Sequence, residues 1–175
     1  MTTTTDVQAV VDCETTGLDP RIHQPYEVCI WRDDERAPLT ITLPHTLEYA
    51  DPYGLSVGGY HERGFTPFAT DGQTERRLLI RALTGVTIIG SNPSFDAAML
   101  TRFIGCQVWS HRLINVAEAG MWVLGLDAPV GLAKVTGLVR DRGYDIPDPD
   151  HTAEGDVRCT RAVYDALVEI RRGMR

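Results

Sequence analysis

The stretch Val7 to Leu18, Val-Gln-Ala-Val-Val-Asp-Cys-Glu-Thr-Thr-Gly-Leu, constrains the fold more than any other. Val7, Ala9, Val10 and Val11 make a short apolar run, the pattern of a strand buried in a sheet. Two acids, Asp12 and Glu14, stand at its end. Side chains two apart on a strand share a face. Two carboxylates therefore converge where Thr15-Thr16-Gly17 turns the chain away. Adjacent carboxylates repel unless a cation neutralises them, and all-oxygen donors suit Mg²⁺ or Mn²⁺. An Asp-x-Glu pair alone fits an acidic turn equally well, so the rest of the chain must decide.

The 175 residues suffice for one good core, and we expect a single domain over 1–175. A formal net charge of −7 argues against a broad grip on duplex nucleic acid, where phosphate contacts dominate. It is compatible with binding a short single-stranded end, above all if acids hold divalent cations. Cys13, Cys29, Cys106 and Cys159 form no C-x-x-C pair, which leaves no zinc or redox motif. Cys13 and Cys29 lie in strand-like runs and read as small core residues. The polar start Met1 to Thr5 is unlike a signal peptide, and no apolar stretch reaches membrane-spanning length. The expectation is a reduced, cytoplasmic protein with no membrane partner.

Along the chain, Tyr26 to Trp31 reads as a second strand. Leu39 to Leu43 alternates at period two and reads as a third, paired antiparallel with it. Pro44 to Gly72 is rich in proline, glycine and aromatic residues, the composition of short helices in a long loop. Its aromatics (Tyr49, Tyr53, Tyr60, Phe65, Phe68) fit a small packed cluster better than a base-stacking surface. Thr74 to Leu83 is a helix and Val86 to Ile89 a central fourth strand. Asn92 is placed to cap a helix starting at Pro93 and reaching Ile104. Asp96 then falls in its first turn, where the helix dipole favours a carboxylate. Val108 to Ile114 reads as a fifth strand, and Val116 to Leu124 and Gly131 to Arg140 as helices. After the acidic loop Asp145 to Asp150, a last helix runs to about Arg172, with His151 and Asp156 near its start.

Asp12/Glu14, Asp96 and Asp156 thus adjoin a strand end or a helix start, and His151 precedes the last acid by five residues. Each is weak evidence alone, since single histidines and first-turn acids are commonly structural. Together they have the composition of a two-metal phosphoryl-transfer site with an imidazole able to take a proton from water.

These residues resemble the DEDDh family of 3′→5′ exonucleases, which includes polymerase proofreading subunits, ribonuclease T and oligoribonuclease. D-x-E-T-T-G-L matches Asp12 to Leu18. N-x-x-F-D-x-x-x-L matches Asn92, Phe95, Asp96 and Leu100. H-x-A-x-x-D matches His151, Ala153 and Asp156. The motifs stand in family order across nearly the whole chain. The segment Ala50 to Arg63 resembles stand-alone members from phages and actinobacteria. Ser91 and Asn115 depart from residues common in the family, at positions that are not metal ligands there.

The resemblance implies an α/β, ribonuclease H-like fold: a mixed five-stranded sheet in the order 3-2-1-4-5, strand 2 antiparallel, flanked by helices. It implies that Asp12, Glu14, Asp96 and Asp156 hold two Mg²⁺ or Mn²⁺, with His151 as general base. Thr15, Thr16, Leu18, Asn92 and Phe95 would seat the terminal nucleotide of a single-stranded DNA or RNA 3′ end. Neither the DNA or RNA preference nor a polymerase or homo-oligomeric partner follows. The rival readings are an endonuclease and a catalytically silent binding module on the same fold.

Overall fold

The computed structural model describes residues 7–174. Its strands are β1 (Gln8–Thr15), β2 (Pro25–Arg32), β3 (Leu39–Thr42), β4 (Thr87–Gly90) and β5 (Leu113–Asn115). Its helices are α1 (Pro52–Val57), α2 (Gln73–Leu83), α3 (Pro93–Ile104), α4 (Val116–Leu124), α5 (Leu132–Arg140) and α6 (Ala153–Gly173). The strands form one sheet in the order β3-β2-β1-β4-β5. β2 runs antiparallel to both β1 and β3, whereas β4 is parallel to β1 and β5. The sheet order and the antiparallel second strand are those expected.

Strand alternation divides the core. Ala9, Val11 and Cys13 of β1, with Val28 and Ile30 of β2, pack against Leu79 and Leu83 of α2 and Leu100 and Ile104 of α3. Val10 and Cys29 face the other way, onto Val135 and Val139 of α5 and Val157, Val163 and Leu167 of α6. Cys13, Cys29 and Cys159 are buried, and the described cysteines are all free thiols. No helix among the described residues is long and apolar enough to cross a membrane.

β1 carries the two acids at its end, as expected, and runs to Thr15 because β2 pairs with it through Glu14↔Glu27. A register shift follows at Glu14/Thr15, where an irregular ladder bends the strand. β5 is only three residues long. Residues 108–110 instead make isolated backbone bonds to Gly85 and Val86, just ahead of β4. Gly85 N donates to Val108 O at 2.9 Å and Ser110 N to Val86 O at 2.8 Å, while Trp109 is buried. The strand expected over Val108 to Ile114 is thus shortened: Val108 and Ser110 make isolated bonds, and the polar Ser110-His111-Arg112 separates them from the paired residues.

The segment between β3 and α2 holds the short α1 and an aromatic cluster. Tyr26, Tyr60 and Phe65 pack together, with His45 edge-on to Tyr60. His45 Nδ1 lies 2.7 Å from Leu43 O and its Nε2 2.5 Å from Tyr60 Oη. Burial keeps this imidazole below its usual value, so as a neutral ring it donates to the carbonyl and accepts from the phenol. The expected packed cluster is therefore present, but Tyr49 and Tyr53 lie outside it and are exposed.

Candidate active site

Four carboxylates reach one end of the sheet from three elements. Period-two alternation puts Asp12 and Glu14 on the same face as Val10, toward α6. The parallel ladder to β4 ends at Val10↔Ile89, so β1 projects beyond its neighbour. The first turn of α3 fills that gap. Asp96, 4% exposed, accepts the Cys13 N–H through Oδ1 at 3.0 Å. Asp156 lies in the first turn of α6, whose N-cap is Thr152: the Thr152 Oγ1 accepts the Gly155 N–H at 3.0 Å. Asp156 Oδ1 accepts the amides of Asp150 (3.0 Å) and His151 (3.2 Å). Asp150 Oδ1 in turn accepts Thr152 N and Oγ1, at 3.0 and 2.7 Å. His151 is exposed and has a φ of +58°, a left-handed conformation unfavourable for a residue with a Cβ.

The site is electrostatically crowded. Burial, then Asp96, Asp156, Glu14 and Glu27, push the Asp12 carboxyl well above its usual range. Burial first, then Asp156, push Glu14 up to about 7 while Arg63 opposes the rise. Burial raises Asp96 against the Cys13 hydrogen bond. It raises Asp156 against the His151 and Asp150 amides. A cluster that resists holding its own negative charge favours protons or cations.

The donor set is all oxygen, which suits Mg²⁺ or Mn²⁺ and not a thiolate-seeking metal. The four expected carboxylates lie close enough to perturb one another, and in that sense the residues fit such ions. Their side chains are not, however, gathered into a ready-made cage: among the described residues no three carboxylate, imidazole or thiol groups converge at ligand spacing. Asp96 and Asp156 each hold backbone amides, and the Glu14 Oε2 is turned toward Gly58. Mutual repulsion favours this splayed arrangement.

Of the residues expected to seat a nucleotide, Leu18 is 75% exposed, Asn92 is exposed and Phe95 is half-buried. The threonine hydroxyls are engaged inside the turn. Thr15 Oγ1 donates to Gly17 O at 2.8 Å, and Thr16 Oγ1 accepts the Gln24 N–H at 3.0 Å. What Thr15 and Thr16 leave for a ligand is backbone. Gly17 is required by close approach, because a Cβ there would stand 2.5 Å from the His23 ring. Asn92 occupies the N-cap position of α3 but makes no capping bond; its Oδ1 accepts from Ser94 Oγ at 3.0 Å.

Sequence reasoning missed Glu27 and did not assign Arg63 to the site. Glu27 is 6% exposed and sits opposite Glu14 in the ladder. Its signal was present: one acid in the otherwise apolar run Tyr26 to Trp31. Gly58 also belongs to the site. A Cβ there would lie 2.6 Å from Glu14 Oε2 and would also collide with the Tyr26 hydroxyl, so only glycine lets both approach.

No protein-family model matches the chain. No curated protein sequence matches it. Among solved structures it is similar to E. coli exonuclease I. Against the zinc ion-bound complex of that protein with ssDNA the TM-score is 0.68 at 16% identity, covering 96% of this chain and 41% of the other. Against its complex with a dT13 oligonucleotide the TM-score is 0.64, also at 16% identity, covering 97% and 42%. The product-bound form gives 0.64 at 16% identity, covering 97% and 44%. The chain thus spans less than half the length of these exonuclease I chains. With its sheet order and flanking helices, it has the ribonuclease H-like fold found in exonuclease I.

Proposed function

We propose that the chain is a metal-dependent 3′→5′ exonuclease of the DEDDh type, a single domain acting on single-stranded nucleic acid. The observation that supports this best is the convergence of Asp12, Glu14, Asp96 and Asp156 from β1, α3 and α6 into one charge-strained cluster, with Asp96 buried and the other three half-buried. These four side chains would hold two Mg²⁺ or Mn²⁺. Such ions, when bound, neutralise phosphate charge and lower the pKa of water. The single-stranded DNA bound in the exonuclease I structures makes DNA the first substrate to test.

The chain's own residues supply the remaining functions. His151 stands at the mouth of α6, held by its amide to Asp156, with an exposed side chain that can meet water. As general base its imidazole takes a proton from the attacking water. Leu18 offers an exposed apolar surface to the terminal base, and Phe95 a half-buried ring from the first turn of α3. The Thr15–Gly17 turn offers backbone groups to the terminal sugar and phosphate. The net charge of −7 disfavours a long track of phosphate contacts. A free end entering the pocket needs fewer of them than the middle of a strand. Mononucleotides should leave stepwise from the 3′ end.

One observation favours the silent-module reading: the carboxylates are not pre-gathered at ligand spacing. Against it, none of the four acids is missing. One experiment separates the readings. Linear, 3′-phosphorylated and circular single strands of one DNA sequence, and the linear RNA, are incubated with Mg²⁺ or Mn²⁺ and resolved by length. Stepwise shortening of the linear strand alone is expected, abolished by chelation and by Asp12→Ala. His151→Ala should retain metal binding and lose roughly 10²–10⁴ in rate. Cutting of the circle that depends on Asp12 would identify an endonuclease. Binding without cleavage would identify a silent module.

A further inference from the structure

Glu27 and Arg63 form an ion pair beside the carboxylate pocket. Arg63 Nη2 donates to both Glu27 oxygens, at 2.8 and 2.6 Å, and the paired side chains are 26% and 8% exposed. Each partner does more than neutralise the other. Arg63 Nη1 donates to Gly58 O at 3.3 Å, and its guanidinium lies 4.8 Å from the Phe65 ring centre. Glu27 Oε2 accepts the N–H of Ala153, the first residue of α6, at 3.4 Å. The pair therefore ties together β2, the turn that presents Gly58 to Glu14, and the start of the helix that carries Asp156.

The register makes the pair consequential. Glu27 is the cross-strand neighbour of Glu14, and like charges directly opposite on a sheet repel. Arg63 neutralises Glu27 and also acts on Glu14, whose carboxylate it favours. A guanidinium released from Glu27 stays beside Glu14, because Arg63 Nη1 also holds Gly58 O and the Glu14 Oε2 is turned toward Gly58, and a Glu14 held by arginine is a poorer ligand for a cation.

We propose that Glu27 is a positioning residue for metal binding: its carboxylate pins Arg63 and the start of α6, and so keeps the guanidinium off Glu14. This rests on the metal-dependent reading of the site. Glu27 touches neither substrate nor metal in this role; it acts through Arg63 and α6.

The test is a double-mutant cycle read by Mn²⁺ binding alone, in calorimetry, without substrate. Glu27→Gln keeps the shape and an acceptor for Ala153 but frees the guanidinium, and should weaken Mn²⁺ binding by about tenfold or more. Glu27→Gln combined with Arg63→Met removes the competing cation and should recover most of that loss. A merely structural role predicts the opposite, since the double variant loses more contacts than the single. A double variant that binds no tighter than Glu27→Gln, or a Glu27→Gln that binds as wild type, overturns the proposal. If Glu27→Gln does not fold, as judged by circular dichroism, Arg63→Met alone carries the test. With no guanidinium to compete it should bind Mn²⁺ at least as tightly as wild type, and weaker binding overturns the proposal. A wild-type protein that binds no Mn²⁺ overturns the metal-dependent function and this proposal with it, whereas a failed cycle in a wild type that does bind Mn²⁺ overturns this proposal alone.

Discussion

Glu14 carries the repulsion of the pocket in measurable form. Its carboxyl, ordinarily near 4.5, is pushed up to about 7, chiefly by burial and then by Asp156. Between those two values the folded chain holds more proton than the unfolded one. The number of protons released on unfolding is then positive, so stability falls as pH rises through this window and levels off above about 7. Glu14 alone contributes at most about 3 kcal/mol to that fall. Asp12, Asp96 and Asp156 are shifted in the same direction. In chelator, thermal melts should show that Glu14→Gln is little different from wild type at about pH 5 and more stable at about pH 8. Mn²⁺ should raise the wild-type melting temperature at about pH 8 more than that of the variant. An equal stability gap at both pH values contradicts the assignment. Much of this site is legible in the sequence, because two acids two apart on a strand share a face whatever surrounds them. The role of Glu27 is not, because its partner Arg63 lies 36 positions away in a loop without periodicity.

At the scale of elements, the site depends on how α6 begins. Thr152 caps it through Gly155 N, and Asp150 braces Thr152 from the preceding loop. Thr152→Ala should cost about 1 kcal/mol of stability, with Thr152→Ser restoring most of it. Denaturant titration of the three proteins checks this; an alanine variant as stable as wild type means the cap is redundant with the Asp150 brace. Helix positions are legible where apolar spacing is strong, as in α2, α3 and α6. The fifth strand is overextended in the sequence reading because it joins Val108-Trp109 to Leu113-Ile114 across the polar Ser110-His111-Arg112, whereas only Leu113–Asn115 pair. The expected Asn92 cap fails for a related reason. An N-cap residue type is present, but Asn92 Oδ1 accepts from Ser94 Oγ instead.

For the whole molecule, the sheet order follows from the sequence and the resemblance together. Strands that follow one another with no helix between them give the antiparallel β1-β2-β3 edge, and the helices α1 and α2 between that edge and β4 fit a parallel crossover. The acidic balance of the chain sets it apart from proteins that hold long duplexes, and the likeness to exonuclease I covers only 41–44% of those chains. Because the parallel ladder ends early, the Cys13 amide proton of a central strand is held by a carboxylate rather than by a neighbouring strand. Its solvent exchange should therefore follow the chemistry of the pocket and not only global unfolding. In hydrogen exchange resolved by residue, adding Mg²⁺ should change protection at Cys13 while leaving Val10 and Val28 unaffected. A Cys13 rate insensitive to the cation means that Asp96 keeps its grip on the backbone in both states. A responsive rate makes the amide of a core cysteine a built-in reporter of whether Asp96 is turned inward to the strand or outward to a ligand.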